Sequence, residues 1–235
     1  MKKAISALLF FMMLFTFSAC TSSAPLDQAT ESSTEKEQTT TPVDTTVSTS
    51  ESGDLMNETQ TNKILITYFS REGENYGVGT IEKGNTCIVA EMISENNGGT
   101  LFEIERTMPY PTSYDECTDE AKQEQRDNAR PELTATVDNF EDYDIIFLGY
   151  PNWWGDMPMP VYTFLESYDF SGKTIIPFCT HAGSGLSSTV SSIQSECPGA
   201  TVTDGFSIEG KTAQNDRDTT SAAVEEWLAE LNINE

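Results

Sequence analysis

The stretch "YDIIFLGYPNWWGD" (143–156) joins two opposed kinds of sequence. Tyr143–Tyr150 is a nearly continuous apolar run, the pattern of a strand covered on both faces in a parallel sheet. Pro151 then stops the strand, and Asn152, Trp153, Trp154 and Gly155 read as a turn. Apolar bulk is ordinarily placed on elements that bury it, so two indoles in a turn suit contact with something flat. Gly155 lets a backbone come close and change its dihedrals at little cost. The competing reading is a tryptophan packed inward as a loop anchor. The expectation is one indole in each role, without deciding which.

On either side of this stretch, strand-like and helix-like segments alternate. "KILITYF" (63–69) is a short β-rich run, and "TCIVAEMISEN" (86–96) spaces its apolar residues for one helical face before "NGG" stops it. "TLFEIER" (100–106) alternates like a half-buried edge strand, and "SYDECTDEAKQEQRDNA" (113–129) favours a polar helix. After the central strand come "PVYTFLESY" (helix), "KTIIPFCT" (strand), "LSSTVSSIQSEC" (helix), "ATVTDGFSI" (strand) and "TTSAAVEEWLAELNI" (helix). Five alternations predict an α/β fold, a doubly wound five-stranded parallel sheet with helices on both faces joined by right-handed crossovers. In such sheets ligands bind beyond the carboxyl ends of the strands, which singles out the loops after strands 1, 3 and 4.

The first of these loops runs from Ser70 to Gly84-Asn85-Thr86, where a helix opens. A helix start offers unpaired N–H groups to a phosphate, and the hydroxyls of Ser70 and Thr86 add hydrogen bonds without a cation. Plain helix capping accounts for the same residues, and the loop has neither the P-loop lysine nor a compact G-x-G-x-x-G. The second loop is the tryptophan turn. The third, "CTHAGSGLSS", brings Thr180, His181, Gly183, Ser184 and Gly185: polar edges for a heterocycle and glycines for close approach. His181 is the sole histidine and reads first as a polar contact, second as a proton relay.

Composition bounds the rest. The first twenty residues carry two lysines, an apolar run and Ser-Ala-Cys, as a secretory signal does, with Cys20 placed like the lipidated cysteine of bacterial lipoproteins. Residues 21–62 hold 18 Ser or Thr, eight acids, one lysine and no aromatic residue, the composition of an acidic, disordered tether holding a domain (63–235) off a membrane. From Lys63 onward ten basic residues face thirty acidic ones, a net charge of −20. That excludes nucleic acid and suits a small ligand or a basic protein partner. Cys87, Cys117, Cys179 and Cys197 match no metal spacing and are expected as mostly buried thiols.

Together the loops describe a ligand with a phosphate, a flat ring and hydrogen-bonding ring edges. The segments "ILITYFS…GNT", "DIIFLGYPNWWGDMP" and "IIPFCTHAGSG" resemble the flavodoxin-like family of FMN-binding proteins, in particular a bacterial lipoprotein subgroup with a Trp-rich second loop. The resemblance spans residues 63 to 208. It implies strand order 2-1-3-4-5 and an FMN whose phosphate meets Ser70, Asn85 and Thr86. It also implies a ring between the second and third loops, and a backbone carbonyl near Gly155 that turns toward the reduced ring. One departure is the thirteen residues Arg71–Lys83, inserted where compact relatives run straight from the serine to "GNT"; they read either as a lid or as an outward bulge.

The first functional expectation is a lipid-anchored electron carrier on the extracytoplasmic face of the cell membrane. Its acidic surface would hold the last reduction step at low potential and speed encounter with a basic redox partner. A flavin-dependent quinone or small-molecule reductase is the alternative, and a tethered binding module without redox activity the third.

Overall fold

The computed structural model describes residues 62–231 and 233. The stretch expected as a signal peptide, Cys20 and all of the expected tether but Asn62 lie outside the described residues. The apolar runs become strands where expected. β1 (Ile64–Tyr68) leads through a short antiparallel hairpin, β2 (Gly73–Asn75) and β3 (Gly79–Ile81), into α1 (Asn85–Asn97). β4 (Thr100–Glu103), α2 (Tyr114–Asp127), β5 (Ile145–Pro151) and α3 (Met159–Glu166) follow. The chain ends with β6 (Thr174–His181), α4 (Thr189–Glu196), β7 (Thr201–Val202), β8 (Phe206–Glu209), α5 (Gly210–Asn215) and α6 (Arg217–Glu230).

All strands of the main sheet run parallel, in the order β4-β1-β5-β6-β7, with β8 also on β6. Counting β7 and β8 as one interrupted fifth strand, this is the 2-1-3-4-5 order. Alternate side chains of each strand go to opposite faces. Leu65, Ile146, Leu148 and Ile175 join Val161, Phe164 and Leu165 of α3 and Ile193 of α4 in one core cluster. Ile66, Phe147, Ile176 and Phe178 join Ile88, Val89 and Ile93 of α1, Ala213 of α5 and Val224 of α6 in the other. Burying β5 and β6 on both faces explains their lack of polar alternation.

The fifth strand is not the continuous run expected over 200–208. Ile175 pairs with Val202 and Phe178 with Phe206, so β6 advances three residues while its neighbour advances four. Pro177 sits in that interval and has no N–H to give, and a proline inside a sheet is tolerated where the partner strand bulges. Gly205 completes the bulge at φ +79°, where an added Cβ would lie 2.8 Å from the Pro177 carbonyl oxygen. β4 is also shorter than expected, since the chain leaves the sheet after Glu103.

The insertion 71–83 is neither loose nor bulged outward. The Arg71 guanidinium donates to the carbonyls of Glu74 (2.5 Å), Pro111 (2.6 Å), Thr112 (2.9 Å) and Ser113 (3.2 Å). Glu74 N–H donates to Thr112 O at 2.8 Å, and the Glu74 carboxylate accepts the first N–H of α2, from Tyr114, at 3.1 Å. The hairpin is thereby bolted to the start of α2 and caps it in place of a local side chain.

Candidate functional site

The carboxyl ends of β1, β5 and β6 open onto a cleft of about 450 Å³. It lies where the sheet order reverses between β1 and β5, the position at which open α/β sheets take ligands.

At one end of the cleft stands the start of α1. Gly84 is packed so closely that an added Cβ would lie 2.1 Å from Ser70 Oγ and 2.7 Å from the Arg71 carbonyl oxygen. Ser70 Oγ accepts the Cys87 N–H at 3.0 Å, so Ser70 caps the helix. Thr86 Oγ1 is buried and shares a 2.9 Å hydrogen bond with Thr180 Oγ1, tying the first loop to β6. Ser70 Oγ thus accepts within the protein and keeps its own proton to donate, while one of the two threonine protons is committed to the Thr86–Thr180 pair. The N–H groups of Asn85 and Thr86, at the first two helical positions, have no intrahelical carbonyl to reach. Asn85 Oδ1 is buried without a partner. The two cations in the cleft wall are committed elsewhere: Arg71 to the loop carbonyls above, Lys211 to Glu209 at 2.7 Å. An anion here would meet neutral donors and the positive end of a helix.

The second loop is a tight turn in which Trp153 and Asp156 exchange backbone hydrogen bonds (2.8 and 3.1 Å). Its two central residues, Trp154 (φ +55°) and Gly155 (φ +86°), both lie in the left-handed region, as a type I′ hairpin turn demands. Glycine adopts that conformation freely; tryptophan does so with strain. Trp153 points inward, meeting Phe69 and Tyr110 edge-on with centroids 5.7 and 5.3 Å apart. Trp154 stays 48% exposed, with Lys122 Nζ 5.2 Å from its ring centre. The turn thus divides the two roles expected of its indoles between an anchor, Trp153, and an open face, Trp154.

Asn152 staples the second loop to the third. Its Nδ2 donates to Gly185 O (2.7 Å) and Ser187 Oγ (3.0 Å), while its Oδ1 accepts the Gly155 N–H (2.9 Å). In the third loop, His181 Nδ1 accepts the Gly183 N–H at 2.9 Å, leaving Nε2 to carry the proton. Burial lowers the His181 pKa, and nearby Glu209 opposes this. A neutral imidazole with one ring nitrogen already bonded is a hydrogen-bond donor at neutral pH rather than a proton store. Burial also raises the pKa of each thiol, Cys179 to about 12 and Cys197 to about 11. None of the four described cysteines is paired.

Of the residues singled out in the sequence, Asn85, Pro151, Asn152 and Trp153 line the cleft, as do Trp154, Thr180, His181 and Ser184. Ser70, Thr86, Gly155, Gly183 and Gly185 are not among its lining residues; the hydrogen bonds of Ser70, Thr86 and Gly155 place them as supports. Two walls were not foreseen. One is the stripe Tyr114, Cys117 and Ala121 along α2, beside Tyr76 of the insertion that the sequence reads as a lid or a bulge; the other is Glu209-Gly210-Lys211 where β8 meets α5. The stripe had a signal, apolar residues at i, i+3 and i+7 in an otherwise polar helix. Chemically, the cleft suits a ligand with an anionic end, a flat apolar body and hydrogen-bonding edges.

The model of the family described as Flavodoxin matches residues 63–230. Among solved structures, a protein from Bacteroides uniformis ATCC 8492, assigned as a flavoprotein, is 29% identical, with a TM-score of 0.57 over 72% of this chain and 98% of its own. A similarly assigned protein from Bacteroides eggerthii DSM 20697 is 27% identical, with a TM-score of 0.57 over 72% and 96%. A flavoprotein of Lactobacillus acidophilus NCFM, solved in complex with FMN, shares the fold at 24% identity and a TM-score of 0.51, over 65% and 97%. No curated protein matches the chain significantly. Sheet order, cleft position and family match agree, and the chain belongs to the flavodoxin family.

Proposed function

We propose that the protein binds FMN in this cleft and serves as an electron carrier, held on the extracytoplasmic face of a membrane by a lipid on Cys20 and spaced from it by residues 21–62. The observation that carries the reading is the pairing, in one cleft, of a neutral helix start with an exposed indole. The donor set fits the cofactor. The free N–H groups at Asn85 and Thr86 suit its phosphate, the unpartnered Asn85 Oδ1 suits a hydroxyl, and Trp154 offers a flat face to its ring. When bound, FMN supplies electron transfer at that ring.

The chain's own residues tune what the ring experiences. The Gly155 carbonyl accepts Ser188 Oγ at 3.1 Å, and the Asp156 N–H of the same peptide donates to Trp153 O at 3.1 Å. Turning that carbonyl toward a ring N–H breaks both bonds, each near the long end of its range. The positive φ of Gly155 lets the peptide rotate without a Cβ clash. His181 Nε2–H and the Thr180 and Ser184 edges supply polar contacts that do not change charge at neutral pH. Thirty carboxylates against ten cations from Lys63 onward disfavour adding a negative charge, which holds the last reduction step at low potential.

The test is transfer from the chemically reduced, FMN-loaded protein to a small basic haem protein, followed by stopped flow at several salt concentrations. A carrier steered by its acidic surface transfers fast at low salt and slows as salt rises. Rates indifferent to salt, or steady oxidation of a reduced nicotinamide with a quinone acceptor, contradict the carrier assignment.

A further inference from the structure

Four large apolar side chains are exposed among the described residues, Tyr76, Leu101, Met108 and Trp154, and two of them, Tyr76 and Trp154, line the same cleft. Tyr76 is 70% exposed, and the hairpin that carries it is fastened at its base. It sits on the hairpin that Arg71 fastens through four carbonyl hydrogen bonds and that Glu74 joins to the first N–H of α2. Gly73 admits the close approach this requires: its φ is +84°, and an added Cβ would lie 2.8 Å from the Thr112 carbonyl oxygen. The Tyr76 ring meets Tyr114 at a centroid distance of 6.1 Å and a tilt of 39°. A rigid scaffold that presents an aromatic ring to a cleft without burying it leaves that ring with a face to fill.

The third loop sharpens the point. From Thr180 to Ser188 it contains no Phe, Trp or Tyr, and its one ring, the His181 imidazole, is small and tied through Nδ1 to the Gly183 N–H. A flat ring resting on Trp154 has a second face, and the large aromatic side chains of the cleft outside the second loop are Tyr76 and Tyr114. Along α2, Cys117, Thr118 and Ala121 line the cleft between Tyr114, which meets Tyr76, and Lys122, which meets Trp154.

We propose that Tyr76, carried by the insertion hairpin and backed by Tyr114, is a cofactor-binding residue that covers the ring face not met by Trp154. This deepens the FMN reading and rests on it. Tyr76 acts on the ring and leaves the phosphate to the start of α1.

The test is a titration of the purified full-length apoprotein with FMN and, separately, with riboflavin, which lacks the phosphate, following flavin fluorescence. Tyr76→Ala is expected to weaken both ligands by the same factor, about 5- to 150-fold for a lost stacking contact. The flavin that does bind is expected to be less quenched. Tyr76→Phe keeps wild-type affinity, because the ring and not the hydroxyl makes the contact. Met108→Ala, at a 71% exposed residue outside the cleft lining, leaves both titrations unchanged and controls for surface effects. Unaltered affinity in Tyr76→Ala overturns the inference and leaves the FMN reading standing. Weakened FMN with unaltered riboflavin also overturns it, by moving the hairpin to the phosphate. A wild-type protein that binds neither ligand defeats the FMN reading itself.

Discussion

Two cavities of nearly equal size lie at opposite ends of the same strands. The cleft at the carboxyl ends measures about 450 Å³, and a second at the amino ends, lined by Lys63, Asn97, Gly98, Asp138 and Asp142, about 440 Å³. Volume does not distinguish them; helix polarity and surface chemistry do. α1 starts at the first and ends at the second, so one receives its N–H groups and the other its carbonyls. The first has an open indole and tyrosines in its walls. The second is mostly polar, and its cation is spent: Lys63 Nζ reaches Asp142 at 2.8 Å, and its backbone N–H reaches Asp144 Oδ2 at 3.0 Å. A phosphate is attracted at one end of the helix and repelled at the other, and the exposed indole stands at the first end, whereas Tyr143 at the second packs against the core.

Substitutions at matched positions can break this contrast. Gly84→Ala at the first cavity forces a Cβ into Ser70 and Arg71, so it is expected to destabilise the fold by about 1–3 kcal/mol and to abolish FMN binding. Gly98→Ala at the other end of α1 meets nothing within 4 Å but carries φ +72°. It is expected to cost about 1 kcal/mol in stability with FMN affinity intact. Denaturant unfolding beside FMN titration separates the two; equal loss of binding in both variants would erase the asymmetry.

Next in size is the indole. Trp154→Gly removes the stacking face and the strained left-handed tryptophan together. FMN affinity is expected to fall by about 1–3 kcal/mol while the apoprotein melts no lower than wild type. Trp153→Ala, which empties contacts with Phe69 and Tyr110, lowers the melting temperature as well. Calorimetry with and without FMN distinguishes a working surface from an anchor.

A smaller effect is tied to pH. Burial lowers the His181 pKa in the folded state, so below the unfolded value of about 6.5 the unfolded chain binds a proton that the folded chain does not. The stability His181 provides is complete above that pH and is lost as pH falls through its folded value. Replacing it in His181→Asn is expected to flatten the decline between neutral and mildly acidic pH; an unchanged slope would mean that His181 is not held neutral. The smallest effect belongs to the second cavity: Asp142→Asn, at an exposed ion pair, leaves both melting temperature and FMN affinity within error of wild type.

What could be read from the residues followed from locality. The runs at 64–68, 145–151 and 174–181 announce themselves as buried strands, and a loop's position after a strand assigns it to the ligand rim without knowledge of its contacts. Most of the rest depends on partners distant in sequence. The break in the fifth strand is imposed by Pro177, about 25 residues away, and becomes legible once the two are known to pair. α5 leaves no periodic pattern of its own, because it is six residues long and Asp216, the cap of α6, follows it directly. Ser70 and Thr86 have the residue types of a phosphate site, and local sequence does not show that Ser70 Oγ also accepts the Cys87 N–H or that Thr86 Oγ1 is shared with Thr180. Tyr76 belongs to an insertion whose sequence leaves lid and outward bulge open, because what fastens its hairpin, Arg71 on the carbonyls of residues 111–113, lies 40 to 42 residues away.

The central claim is that the carboxyl-end cleft holds FMN. Purified protein reconstituted with excess FMN, then freed of unbound ligand, tests it directly by visible absorbance and by flavin released on denaturation. A yellow protein carrying one FMN per chain, with its flavin fluorescence quenched until heated, is the predicted result. A colourless protein that releases no flavin contradicts the account.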